Sequence, residues 1–196
     1  MKRISMPIAI FAVLSLILAT GCFTIVMPGS SSTKTTATDP LVGSWQMTRL
    51  SISPQVPVPD IVINQIIAQK ATWKISRTGD KLTINYGGKD TWYNTLGIPV
   101  QKKPIQVTEG ADKKSCTLKG GGIIQMQGLP TLLSSAISAN VQNITVDFND
   151  TIDLALSPDG TLSAKISVQA SGKYFSGSQQ KTFSQSGSVT YRGTRK

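Results

Sequence analysis

The strongest constraint on the fold is the alternation of apolar and polar residues along long stretches of the chain. Residues 71–76 and 81–86 alternate in this way on either side of a Gly-Asp pair. Residues 144–156 and 162–170 do the same on either side of a Pro-Asp-Gly sequence. Because successive side chains of a β-strand point to opposite faces, these patterns predict two hairpins whose strands each have one apolar face.

Weaker alternation predicts further strands and brings the total to about ten. They span residues 43–52, 91–96, 105–109, 115–119, 122–127 and 182–192. Residues 60–70 and 130–142 instead carry apolar residues at helical spacing, and a proline at position 130 suits a first helical turn. We therefore expect an all-β domain with two short helices, folded either as a closed antiparallel up-and-down barrel or as a helix-covered half barrel.

The amino terminus has the layout of an export signal. Lys2 and Arg3 precede an apolar run at residues 7–19, and the sequence Ala-Thr-Gly-Cys follows at residues 19–22. These four residues resemble the lipobox of bacterial lipoproteins. The resemblance implies that residues 1–21 are a signal peptide, that Cys22 is acylated, and that the protein is anchored to a membrane outside the cytoplasm.

The segment after the cysteine bears on the kind of anchor. Residues 8–27 carry no charge and are long enough for an uncleaved transmembrane helix, so that alternative stays open. The helix breakers Pro28 and Gly29 follow, without a basic stop-transfer cluster, which favours cleavage. Phe23 stands where an aspartate would signal retention, so the resemblance implies the outer membrane if the host has two membranes. We assign 22–40 to the lipidated cysteine and a flexible Ser/Thr-rich tether, and 41–196 to one β-rich domain.

The charge balance bounds the partners. The chain has 20 basic and 10 acidic residues, a formal charge of +10. Loss of Lys2 and Arg3 with the signal peptide would leave 18 basic residues and a charge of +8. This excess suits either an ordinary solvated surface or anionic headgroups and wall polymers. The basic residues are scattered and form no basic helix, so we expect no nucleic-acid partner.

The acidic residues supply the main candidate for chemistry. The chain has no histidine, which removes the commonest general base and metal ligand. Asp150 is in phase with the apolar Phe148 and Ile152, so it is the best candidate for an inward-facing carboxylate, and an enzyme would use this residue. The interpretation that we favour, however, is that residues 148–150 form a bulge or turn between two strands. We expect no catalytic site, no metal and no cofactor.

Other motifs have simpler interpretations. Ser178 and Lys181 match the Ser-x-x-Lys of penicillin-recognising enzymes by chance, since the helix and partner motifs are missing. The three glycines at 120–122 predict a flexible turn rather than an anion-binding nest. Cys116 lacks a neighbouring group that would activate a thiolate, so we expect a packing residue on a strand.

A second resemblance concerns the domain itself. Gly43-Ser44-Trp45 on the first predicted strand is similar to the Gly-x-Trp of lipocalins, and Arg192 could match the arginine that packs across that tryptophan. The resemblance implies a cup-shaped barrel for apolar ligands. The long segment at residues 53–69 and the helix in the middle of the chain depart from the lipocalin pattern.

Two functions remain for the domain. The first is a non-enzymatic binding module for an apolar or lipid-like ligand. The alternative is a structural or assembly lipoprotein of the envelope that acts on a partner through its basic surface. The residues expected to line the interior of a binding module are Trp45, Trp73, Ile84, Tyr86, Ile166 and Tyr191.

Overall fold

The computed structural model describes residues 39–53, 68–78, 81–85, 100–128 and 141–196. In this part of the chain 81% of residues are in strands and no helix is present. The strands are β1 (Gly43–Ser53), β2 (Lys70–Thr78), β3 (Lys81–Asn85), β4 (Val100–Lys102), β5 (Gln106–Glu109), β6 (Ser115–Gly128), β7 (Val141–Leu156), β8 (Leu162–Ser176) and β9 (Gln179–Arg195).

The strands form one antiparallel sheet that curls into a half barrel. Their order is β3-β2-β1-β9-β8-β7-β6-β4, and β5 pairs with β6 beside β4. The sheet turns through 290°, which leaves a seam between β3 on one side and β4 and β5 on the other. The predicted all-β, lipocalin-like half barrel is confirmed.

The two predicted hairpins are confirmed. β2 pairs with β3, and Ile75 lies opposite Ile84. β7 pairs with β8 around a turn in which the N–H of Ser157 donates to Thr161 O at 2.9 Å. Gly160 adopts a φ of 79° in that turn, a conformation that favours glycine. Every second residue is buried from Ile144 to Leu154 on β7 and from Leu162 to Ala170 on β8, as the alternation predicts.

Two predicted interruptions of strands are wrong. Residues 148–150 form neither bulge nor turn but lie within the continuous 16-residue strand β7. Residues 120–122 are not a flexible turn but the middle of β6, opposite 148–150. A Cβ atom on Gly121 would lie 2.2 Å from Phe148 O, and its φ is 144°. The glycines therefore permit a close approach of β6 to β7 and a bend in the sheet.

Several predicted elements lie wholly or mostly outside the described residues. These are the strand at 91–96 and the helices at 60–70 and 130–142. At the ends of the two helical segments, Lys70 belongs to strand β2 and Val141 and Gln142 belong to strand β7, whereas Ala68 and Gln69 lie in no strand. Among the residues with described coordinates, no helix has the length and apolar character that crossing a bilayer requires.

One end of the half barrel is closed by the segment that precedes β1. The side chain of Leu41 is fully buried there, and Trp45 Nε1 donates a hydrogen bond to Leu41 O at 2.9 Å. The guanidinium of Arg195 lies 4.9 Å from the ring centroid of Trp45, and its Nη2 donates to Pro40 O at 2.6 Å. The first and last strands are thus joined at this end by an arginine over a tryptophan.

The arginine over Trp45 is Arg195, so the assignment of this role to Arg192 is wrong. Trp45 pairs directly with Arg195 in the β1–β9 register, whereas Arg192 pairs with Thr48 and points outward between the buried Tyr191 and Gly193. Paired residues of antiparallel strands have their side chains side by side, which puts Arg195 within reach of the indole. The motif predicted the interaction, but the register decided which arginine makes it.

A second set of contacts crosses the seam at the closed end. Arg77 on β2 forms ion pairs with Asp39, before β1, and with Glu109 on β5. All three side chains are largely shielded from water, with exposed fractions of 16%, 11% and 23%. Arg77 is in phase with the buried Trp73 and Ile75, so it extends from the inner face and links the two sides of the seam.

Replacing Arg195 with alanine should lower the free energy of unfolding by about 1 to 2 kcal/mol, because it removes the cation–π contact and the hydrogen bond to Pro40 O. Arg192→Ala is the matched control, since it removes an exposed arginine from the same strand. It should change stability by less than about 0.5 kcal/mol. Urea unfolding followed by tryptophan fluorescence measures both variants, and equal losses would contradict the role of Arg195.

Candidate ligand-binding interior

The predicted lining residues are brought together on the inner face of the half barrel. Trp45, Trp73, Ile84, Ile166 and Tyr191 are each at most 6% exposed and lie on β1, β2, β3, β8 and β9. Tyr86 lies outside the described residues. The inner face is therefore apolar over strands from both ends of the chain.

Three aromatic rings lie beside one another on the inner faces of β1, β2 and β9. Trp45 and Trp73 are directly paired between β1 and β2. The ring centroids of Trp73 and Tyr191 are 5.2 Å apart with an interplanar angle of 53°, within the range of favourable aromatic pairs. The Tyr191 hydroxyl donates to Ala68 O at 3.4 Å, and burial raises the pKa of Tyr191 to about 12. The phenol is therefore neutral at physiological pH and serves as apolar surface with one polar end.

Asp150 is the one polar or charged residue in the buried core of the described chain. It is 3% exposed and lies on the inner face of β7 between Phe148 and Ile152, the orientation that its phase with these two residues indicated as the less favoured interpretation. Its register partners are Gly120 on β6 and Val168 on β8, neither of which offers a polar side chain. Its Oδ1 has no hydrogen-bond partner among the described residues.

Burial raises the pKa of Asp150 from 3.8 to about 7. Loss of solvation is the main cause, and the backbone N–H groups of Asp150 and Gly120 and the charge of Lys103 oppose it. Lys103 itself is held elsewhere, because its Nζ contacts Asp147 Oδ1 at 2.5 Å and Asn149 Oδ1 at 3.0 Å. Asp147 and Asn149 point to the outer face of β7, opposite to Asp150.

The other residues considered in the sequence analysis lie in surroundings that indicate packing or turn roles. Cys116 is 2% exposed on β6, which confirms it as a packing residue. Burial raises its pKa to about 12, so its thiol stays protonated. Ser178 lies in the turn between β8 and β9 and Lys181 on β9, without the helix that the penicillin-recognising motif needs. Among the described residues, no three His, Cys, Asp or Glu side chains come together as metal ligands.

The outer face carries two depressions that sequence reasoning missed. Their volumes are about 410 and 430 Å³. Side chains that point outward from neighbouring strands supply most of their walls, so only the strand order reveals them. The first is lined by Asn149, Gln169, Ala170, Ser171, Ser184, Gln185 and Ser186, and the second by Gln46, Thr48, Leu50, Asp159, Thr161, Arg192, Gly193 and Thr194.

Sequence reasoning also missed the ion-paired Arg77 at the closed end. Its signal was available, since Arg77 falls in phase with Trp73 and Ile75 just as Asp150 falls in phase with apolar neighbours. The two inner-face charges differ in their surroundings. Arg77 has two carboxylate partners, whereas Asp150 Oδ1 has none in the described part of the chain.

The fold and its closed end define the class of protein as a lipocalin-like antiparallel half barrel. No protein-family model, curated protein or solved structure matches the chain. The likeness to lipocalins is therefore one of fold alone, an antiparallel sheet curled through 290°.

The pKa of Asp150 predicts how stability depends on pH. Between about pH 4 and pH 7 the folded protein holds a proton that the unfolded chain releases, so stability falls as pH rises through this range. Asp150→Asn keeps the shape but has no charge. We expect its stability advantage over the wild type to be larger near pH 8 than near pH 5 by on the order of 3 kcal/mol.

Urea unfolding at the two pH values measures this difference. Asp153→Asn is the control, because it removes a carboxylate from the exposed face of the same strand. The control should keep the pH dependence of the wild type. If the difference in stability between the wild type and Asp150→Asn is the same at both pH values, Asp150 is not a buried, ionisable group.

Proposed function

We propose that this protein is a membrane-anchored lipoprotein whose half barrel binds an apolar or lipid-like ligand without catalysing a reaction. The observation that carries the proposal is the concave inner face, where aromatic and aliphatic side chains from β1, β2, β3, β8 and β9 converge. Ligand pockets in proteins are concave and mostly apolar, with few polar groups to orient the ligand. The inner face has this composition.

The energetics favour a long-chain ligand. Burial of a methylene group contributes about 0.8 kcal/mol, so a chain of about ten carbons would gain roughly 8 kcal/mol before the costs of association. Apolar side chains along the inner face can supply this burial energy without hydrogen bonds or ion pairs to the ligand. A small polar ligand would gain far less, because the described inner face offers one carboxyl group and few other polar atoms.

The proposed anchor and the domain geometry are compatible. The described chain begins at Asp39, which is held by Arg77 at the closed end. A tether from Cys22 would thus reach the domain at its closed end and span on the order of 25 Å as a random coil. Strand ends at the opposite end of the barrel, such as Ser176 and Gln179, lie away from the point of attachment.

The exposed surface bears on the alternative function, a structural or assembly lipoprotein. Among the described residues, Leu50 is the one large hydrophobic side chain that is exposed, at 63%. A protein that docks through apolar contacts presents a contiguous patch rather than one residue. A structural lipoprotein would therefore act through the basic surface, and the ligand experiment distinguishes the two functions.

Native mass spectrometry of the full chain, extracted from membranes in detergent, should show discrete adducts of lipid mass. Delipidation should remove them, because they are held by apolar contacts. Ala170→Leu should reduce the adduct, since it adds volume to the inner face, whereas Ser171→Leu on the outer face should not. A bare, homogeneous mass before delipidation would favour the structural alternative.

The anchor is tested by the two cysteines of the chain. Cys22→Ser should abolish incorporation of a radiolabelled fatty acid, so the chain should no longer be recovered among the acylated proteins, whether or not its signal peptide is cleaved. Cys116→Ser is the matched control and should keep full incorporation, because the Cys116 thiol is buried in the core. Incorporation that survives Cys22→Ser would contradict the lipobox assignment.

A further inference from the structure

The inner face has a polar point whose surroundings indicate which ligand would fit it. Asp150 lies in a row across the sheet in which its neighbour on β6 is Gly120 and its neighbour on β8 is Val168. The next position in this row, on β9, is Gly187. The described strands therefore place no polar side chain beside the carboxyl group and no side chain at all at two positions of the row.

The carboxyl group has an unused capacity to accept hydrogen bonds. Backbone N–H groups of Asp150 and Gly120 act on the carboxyl group, but its Oδ1 accepts no hydrogen bond in the described chain. A buried carboxylate oxygen without a partner is costly, and such groups are normally paired or bound to an ion. Lys103, the cation whose charge lowers the pKa of Asp150, is engaged by Asp147 and Asn149 on the outer face. None of the ion pairs in the described part of the chain includes Asp150.

We propose that Asp150 receives the head of the ligand, and that the ligand is a long-chain amphiphile with a cationic amine head. This inference rests on the proposed function and specifies its ligand. An ammonium group donates hydrogen bonds to the free Oδ1 and neutralises the carboxylate charge, while the chain lies against the aromatic and aliphatic wall. A fatty acid would place a second negative charge beside Asp150 and is disfavoured.

Because the protein is positively charged overall, a preference for a cationic head would identify a local negative group as its cause. A chain with a formal charge of +10 attracts anions over long distances. A preference for a cationic head therefore cannot come from the field of the whole molecule. It has to come from a local negative group, and Asp150 is the buried one in the described chain.

The test compares three probes of equal chain length: decylamine, decanol and decanoate. Each is added separately to the delipidated full chain in the same detergent at pH 7.5, and native mass spectrometry gives the bound fraction over a titration. Decylamine should bind at least about tenfold more tightly than decanoate, the scale expected for one charge-assisted hydrogen bond, with decanol between them.

Asp150→Asn should remove the advantage of the amine over decanol while decanol still binds. Asp153→Asn, on the exposed face of β7, should retain the advantage. If Asp150→Asn is not recovered folded, Asp150→Ser is judged by the same ratio. Equal binding of the three probes, or an amine advantage that persists in the Asp150 variants, overturns this inference and leaves the binding module intact. Failure of all three probes to bind overturns the proposed function itself.

Discussion

The pairing of the first strand with the last is the interaction on which the rest of the structure depends. β1 is bonded to β2 on one side and to β9 on the other, so it joins the β2–β3 hairpin to the large meander of β6 to β9. Without this pairing the chain would form two smaller sheets, each with an apolar face open to water. The same junction is covered at its end by Leu41, Trp45 and Arg195, which close the half barrel and tie the segment before β1 to the end of β9.

Local sequence patterns predicted much of this architecture, because the period of two is a property of each strand alone. The alternation located β2, β3, β7 and β8, and it identified Trp45, Trp73, Ile84, Ile166 and Tyr191 as inner-face residues. It also placed the carboxyl group of Asp150 on the apolar side of its strand. Each of these results depends only on which face a side chain occupies.

Properties that depend on the neighbouring strand could not be predicted in this way. The glycines at 120–122 have turn composition, but in β6 they allow a close approach to Phe148. The arginine over Trp45 depends on the β1–β9 register, which no local pattern contains. Arg77 and Asp150 both break the apolar alternation, yet only contacts across the sheet show that Arg77 is paired whereas Asp150 Oδ1 has no partner in the described chain. Sites where local rules fail are where functional or compensating interactions are expected.

The closure by β9 also has a consequence for the order of folding. The hydrogen bond between Arg195 and Pro40 joins residues 155 positions apart, and β9 follows all the other described strands in the chain. Contacts of such separation are slow to form, because the loop entropy is lost before they stabilise the fold. The described sheet therefore cannot be completed before β9 has been synthesised, and until then β1 and the β2–β3 hairpin are not joined to the strands from β6 to β8. Both of these parts keep an unpaired edge strand during that interval, and such edges can pair with other chains.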